Sequence, residues 1–198
     1  MVIDEVHDLQ QVYRKILHCM SRPGTISSLK EGVEHGDLDV PCYDATFLSA
    51  LTLLDAEVSF AVVSENSPFF SETLAAYTLA KVAPTHEADY IIVLQDASEH
   101  AVLEALHQCK VGQLIDPQRS ATWIMERSLI ENQAELRLTG PGIQEEAVLK
   151  MGFPSKMWQV RNERVKEYPL GIDMICTDVQ AQLVCIPRTT KVDVLEGM

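Results

Sequence analysis

The sequence predicts one α/β domain built on a mixed sheet, with antiparallel strand pairs added late in the chain. Three observations predict it. The chain has 198 residues, 46% apolar and 23% charged, which suits a single soluble core rather than disorder, collagen or a disulfide scaffold. Short β-rich apolar runs alternate with helical periodicity between Val58 and Leu106. After Gly112 the texture changes to alternating, strand-like segments. Residues 1–198 are therefore expected to form one domain.

The elements follow in order. From Asp4 to Met20, the positions Val6, Leu9, Tyr13, Ile16, Leu17 and Met20 recur at three- and four-residue steps, the mark of an amphipathic helix with Asp4 as N-cap. Pro23-Gly24 stops it. A second helix starts at Asp44, with Phe47, Leu48, Leu51 and Leu54 inward. Val58–Val63 and Tyr90–Leu94 read as strands covered on both faces. Between them Pro68 suits the first turn of a helix containing Leu74 and Tyr77. Ser98 opens a further helix through Val102, Leu103 and Leu106. Strand, helix, strand, helix argues for a partly parallel sheet. Ala121–Glu126 and Glu135–Thr139 are expected to pair antiparallel across the polar stretch Arg127–Ala134. Ser155–Val165 reads as a helix with Met157, Trp158 and Val165 inward and Lys156, Arg161 and Arg164 outward, followed by Lys166. Gly171–Thr177 and Gln182–Pro187 form a last strand pair around Asp178.

Charge narrows the function. Sixteen Lys and Arg against twenty-nine Asp and Glu leave a formal charge of −13, so nucleic acid is an unfavourable partner. No Lys or Arg lies between Lys30 and Lys81, where nine carboxylates do. That stretch is either a solvated acidic face or a contact for a basic surface, with the Lys150–Lys166 region as a complementary candidate. No signal-peptide pattern opens the sequence, and no apolar run approaches the ~20 residues of a spanning helix. The expectation is a cytoplasmic protein with no membrane partner. Five scattered cysteines without a Cys-x-x-Cys pair give neither a zinc site nor a redox pair. His100, Glu104 and His107 share a helix face, but an exposed polar stripe explains them, and no metal site is expected.

Three segments have more chemistry. In Cys19-Met-Ser-Arg-Pro-Gly-Thr-Ile26, Arg22 beside a Pro-Gly turn either receives an anion or simply follows a helix stop. In Leu136-Arg-Leu-Thr-Gly-Pro-Gly-Ile143, Gly140 and Gly142 permit a close approach, by a ligand or within a tight turn. Asp173 lies inside an apolar strand, where an unpaired carboxylate is costly. Arg188, at the exit of the next strand, is its natural partner. Such a pair is either structural or leaves a guanidinium fork for a phosphate or phosphonate oxyanion, with Thr189 and Thr190 as hydroxyl donors. No residue is assigned a catalytic role.

Together, Arg14 with Met20-Ser-Arg-Pro-Gly24, Leu136-Arg-Leu-Thr-Gly-Pro-Gly-Ile143, Pro169-Leu-Gly-Ile-Asp173 and Ile186-Pro-Arg-Thr-Thr190 resemble the PhnH family, subunits of the bacterial carbon–phosphorus lyase system. The similarity runs in matching order from about Tyr13 to Val194 and departs mainly in the loops between Gly112 and Ala121. The resemblance implies a three-layer α/β/α sheet akin to the large domain of pyridoxal-phosphate-dependent transferases, but truncated and without a cofactor. The sequence agrees in placing no Lys in a strand-end setting that suggests a Schiff base, with Lys81, Lys150 and Lys191 as the exceptions. It further implies a homodimer that joins PhnG, PhnI and PhnJ. That core complex helps convert an alkylphosphonate and a purine nucleoside triphosphate into α-D-ribose 1-methylphosphonate 5-triphosphate or its analogue, before a radical enzyme cleaves the C–P bond. The chain would then be an accessory subunit, not a catalyst alone. The alternative is an independent small-molecule binding protein or enzyme that holds an anion with Arg188 and the Gly140–Gly142 turn.

Overall fold

A computed structural model describes residues 5–30 and 40–195. Helix α1 (Glu5–Ser21) leads through β1 (Ser27–Ser28) and α2 (Asp44–Leu53) into β2 (Ser59–Val63). Next come α3 (Ser67–Thr78), β3 (Lys81–Val82), β4 (Tyr90–Val93), α4 (Glu99–Gln108) and β5 (Thr122–Arg127). The chain continues with β6 (Glu131–Thr139), β7 (Ala147–Lys150), α5 (Ser155–Arg164), β8 (Asp173–Asp178), β9 (Gln182–Ile186) and β10 (Lys191–Val194).

The expected α/β class and mixed sheet are both present. A seven-stranded sheet runs in the order β1-β9-β8-β5-β4-β2-β3. The five strands from β8 to β3 are parallel, while β9 and β1 join antiparallel at one edge. Alternate strand residues feed two cores. Phe60, Ile92, Ile124 and Ile175 pack with Val12, Ile16, Phe47 and Phe70, which places α1, α2 and α3 on one face. Ile91, Trp123, Met125 and Met174 pack with Leu106, Met157, Trp158 and Leu136 on the other, under α4, α5 and a small second sheet. Ser98 caps α4 by accepting from Ala101 N at 3.2 Å, and Pro68 sits in the first turn of α3, both as expected.

Three expectations are corrected. The Ala121–Glu126 and Glu135–Thr139 segments do not pair with each other. β5 is buried on both faces from Trp123 to Glu126, so it needs a neighbour on each side and layers above and below. It takes β4 and β8 as parallel neighbours. β6 hides Leu136 and Leu138 and exposes Arg137, a one-faced pattern, and it forms a separate sheet in the order β10-β6-β7. The buried line of α1 is Val12, Ile16 and Cys19, with Tyr13 and Leu17 about half exposed. That line packs against α2 and β9, on Phe47, Leu183 and Cys185. On α3, the half-exposed Tyr77 ring meets Phe47 edge-on at 5.4 Å. Arg161 points inward and is fully buried, for reasons given below. The proposed cap Asp4 and the carboxylates between 31 and 39 lie outside the described residues.

No helix among the described residues is long and apolar enough to cross a membrane.

Candidate functional site

The parallel strands have two edges, and charged groups gather at both. The amino edge holds the residues singled out in the sequence. Asp173 opens β8, and the antiparallel return of β9 brings Arg188 back beside it, because Met174 faces Ile186 in the register. Arg188 N donates to Asp173 Oδ1 at 2.8 Å, Nε to Oδ2 at 3.1 Å and Nη2 to Oδ2 at 2.5 Å. Nη2 also donates to Ser120 Oγ, and Nη1 to the carbonyls of Pro117 and Pro169 at 2.9 and 3.4 Å. A guanidinium has five N–H donors. Each of the five has a protein acceptor here, so the expected pair exists and its fork is occupied by the chain itself.

Arg161 on α5 does the same job one layer away. Nη1 donates to Thr190 O and Nη2 to Pro187 O, each at 2.7 Å. Asn162 Nδ2 donates to Val192 O at 2.7 Å. Burial lowers the Arg161 pKa to about 10, still well above neutral pH, so the cation is retained. These bonds tie α5 to the segment that follows β9. The pattern that read Arg161 as outward missed it because a buried arginine looks, in sequence, like any helix-surface arginine. A cavity of about 360 Å³ opens beside it, lined by Arg161, Lys166, Arg188, Thr189, Thr190 and Lys191. Thr190 Oγ1 and Arg161 Nε are buried with no hydrogen-bond partner among the described residues.

The glycine turn has a different neighbour from the one a ligand reading expects. A Cβ on Gly142 would lie 2.3 Å from Ser21 O, and one on Gly140 would lie 2.9 Å from Thr189 O. Both residues have positive φ, 84° and 134°. The missing side chains thus admit protein backbone, and the three sequence segments around Ser21, Gly140–Gly142 and Thr189 meet. Arg22 stands exposed nearby, with Nη1 2.9 Å from His18 Nδ1.

The carboxyl edge was not singled out in the sequence. Glu126 and Arg127 end β5, and strand alternation sends them to opposite faces. Glu126 is buried, and its carboxylate accepts from Tyr43 N at 2.6 Å and Gln95 N at 2.9 Å. Burial is the largest influence on it and raises its pKa against those two bonds. Burial also raises the Cys42 and Tyr43 groups beside it. Asp178, at the end of β8, accepts from Ile130 N at 3.0 Å and from Gln180 N and Gln182 N at 2.9 Å. Arg127 donates from Nε to Met151 O at 3.0 Å and from Nη2 to Gly152 O at 2.9 Å. Its guanidinium lies 4.1 Å from the Phe153 ring centroid. The usable signal was positional: a Glu-Arg pair at the carboxyl end of a wholly buried strand, where ligand sites of parallel sheets form.

The family described as bacterial phosphonate metabolism protein (PhnH) matches residues 2–193 of the chain. The protein is also similar to two named relatives. One is HtxG of Stutzerimonas stutzeri, described as a C-P lyase subunit protein, 29% identical over 93% of this chain and 85% of the relative. The other is the alpha-D-ribose 1-methylphosphonate 5-triphosphate synthase subunit PhnH of Rhizobium meliloti (strain 1021), 29% identical over 96% of this chain and 92% of that one.

Proposed function

This chain belongs to the PhnH family of bacterial phosphonate metabolism proteins, and from that premise we propose that it is a subunit of a carbon–phosphorus lyase core complex. The observation that carries the reading is the family match from residue 2 to residue 193, supported by relatives that are themselves named as subunits. In this reading the chain forms a homodimer in the cytoplasm and assembles with PhnG, PhnI and PhnJ. The assembly makes α-D-ribose 1-methylphosphonate 5-triphosphate from an alkylphosphonate and a purine nucleoside triphosphate. The chain itself brings no cofactor and does not turn over alone. The likeness to the large domain of pyridoxal-phosphate-dependent transferases belongs to this proposal as well.

Co-expression with PhnG, PhnI and PhnJ from the same genome, then affinity capture and native mass, tests it. A stoichiometric assembly is expected. Recovery of this chain alone, or turnover of phosphonate and nucleotide by the isolated chain, overturns it.

Within that role, the cavity at the amino edge suits a phosphate or phosphonate oxyanion. Lys166 and Lys191 line it beside the already bonded Arg161 and Arg188, with Asp193 as a lining carboxylate 3.7 Å from Lys191 Nζ. A local basic surface concentrates anions against the acidic background of a chain whose formal charge is −13. Asp173 sets Arg188, Thr189 and Thr190 offer hydroxyls, and the Gly140–Gly142 turn and Arg22 flank the entrance segment. Methylphosphonate should raise the melting temperature of the isolated chain, and Lys166→Ala with Lys191→Ala should remove that rise. An unchanged rise in the double variant assigns the anion elsewhere.

A further inference from the structure

In the middle of the sheet, β4 and β5 end side by side; β4 leads into α4, and β5 runs on through β6 and β7 before α5 packs on the same face as α4. The first turns of α4 and α5 and the strand ends between them enclose a crevice of about 280 Å³. Its apolar walls come from Leu94, Val102, Phe153 and Met157, and its polar side chains are Gln95, Glu99 and Arg127. Phe153 is itself held edge-on by Trp158 at 5.6 Å, so the wall is built on the core and not on a loose loop.

Arg127 is the informative group. Two of its three nitrogens are anchored to the Met151 and Gly152 carbonyls, and its plane is stacked on Phe153. Those three contacts fix the guanidinium before any ligand arrives. Nη1 has no acceptor among the described residues, in contrast to Arg188, whose donors are all taken. A pre-positioned guanidinium with a free edge binds an oxyanion at little entropic cost. The acids around it are few. Glu99 lines the crevice, Glu135 is turned to Gly152 N at 3.0 Å, and Glu126 lies on the other face of the sheet. The first turns of two helices add positive dipole ends. α5 has no side-chain cap at that end.

Volume sets the rest of the ligand. An apolar cavity of about 150 Å³ accepts a benzene ring, so this crevice has room for one ring or short alkyl body together with an acid group. We propose that the crevice at the carboxyl ends of β4 and β5 is a binding site for a small organic acid, its anionic head on Arg127 and its apolar body against Phe153 and Met157. The site is independent of the subunit reading, since it rests on this chain alone.

The test uses the isolated full chain, titrated with phenylphosphonate, with benzoate and with neutral benzyl alcohol, followed by calorimetry and by the methyl resonances of the methionines. Both acids should bind and move the Met157 signal, and the alcohol should bind far more weakly. Arg127→Gln should weaken both acids by roughly tenfold or more, the worth of a charge-assisted hydrogen bond. Ala97→Phe, which fills the crevice from a lining position other than Arg127, should abolish the Met157 shift with both acids while the melting temperature holds. It decides the matter if Arg127→Gln fails to fold. Binding of one acid but not the other narrows the head group within the proposal. No binding at about 10 mM, a regime weaker than about −3 kcal/mol, overturns the site. So does a ligand-induced Met157 shift that survives Ala97→Phe, whereas phenylphosphonate binding that leaves Met157 unmoved belongs to the amino-edge cavity.

Discussion

The two edges of the central sheet treat buried charge in opposite ways. At the amino edge, Asp173 and Arg188 neutralise each other and every guanidinium donor has a protein acceptor. Arg161 is likewise spent on the carbonyls of Thr190 and Pro187. These arginines act as cross-links, joining strand ends to loops that have no ladder of their own. At the carboxyl edge, Glu126 and Asp178 are buried with no cation paired to either among the described residues, and both accept from backbone N–H groups. Arg127 there keeps one edge open. Saturated charge builds a scaffold, and incompletely satisfied charge leaves something for a partner molecule to complete.

The contrast is broken most directly at the amino edge. Arg188→Ala strands a mostly buried carboxylate and removes the tie between β8, β9 and the Pro117–Ser120 turn. The expected loss is about 3–5 kcal/mol, read from the denaturant midpoint. A loss below about 1 kcal/mol would mean that the pair behaves like a surface ion pair, and the two edges would no longer differ in kind.

A smaller effect sharpens the comparison at the other edge. Burial raises the Glu126 pKa, so the folded chain holds that proton to higher pH than the unfolded chain does. Between the two values the folded state binds more protons, and its stability falls as pH rises. Glu126→Gln removes this titration. The parent should therefore lose stability relative to the variant as pH is raised from acid towards neutral, by less than the Arg188 effect. A pH-independent difference between the two would show that the two backbone N–H bonds offset the burial completely.

How much of this was legible in the sequence varied with the physics involved. The β2, β4 and β8 runs were readable because fully buried strands are continuous and apolar. The Asp173–Arg188 pair was readable because a carboxylate inside such a run demands a partner. The supposed β5–β6 pair was not. Adjacency in sequence suggested it, but Trp123–Glu126 and Leu136–Leu138 bury different numbers of faces and belong to different sheets. Arg161 was misplaced because helical spacing says which face a residue is on and not how deep that face lies. Arg127 was passed over because nothing local marks a guanidinium whose partners, Met151 and Gly152, arrive from 24 and 25 positions further along.

The pairing of the two ends of the chain has a consequence for synthesis. α1 lies against β9, with Cys19 Sγ 3.8 Å from Leu183 O and Cys185 Sγ 3.8 Å from Ile16 O. On the ribosome α1 emerges early and meets α2 soon after, but β9 is translated roughly 10 to 30 s later at ordinary elongation rates. For that interval the Val12, Ile16 and Cys19 line is only half covered. Slow codons placed before β9 would lengthen the exposure, so chaperone demand for this chain should track the translation speed of its last quarter.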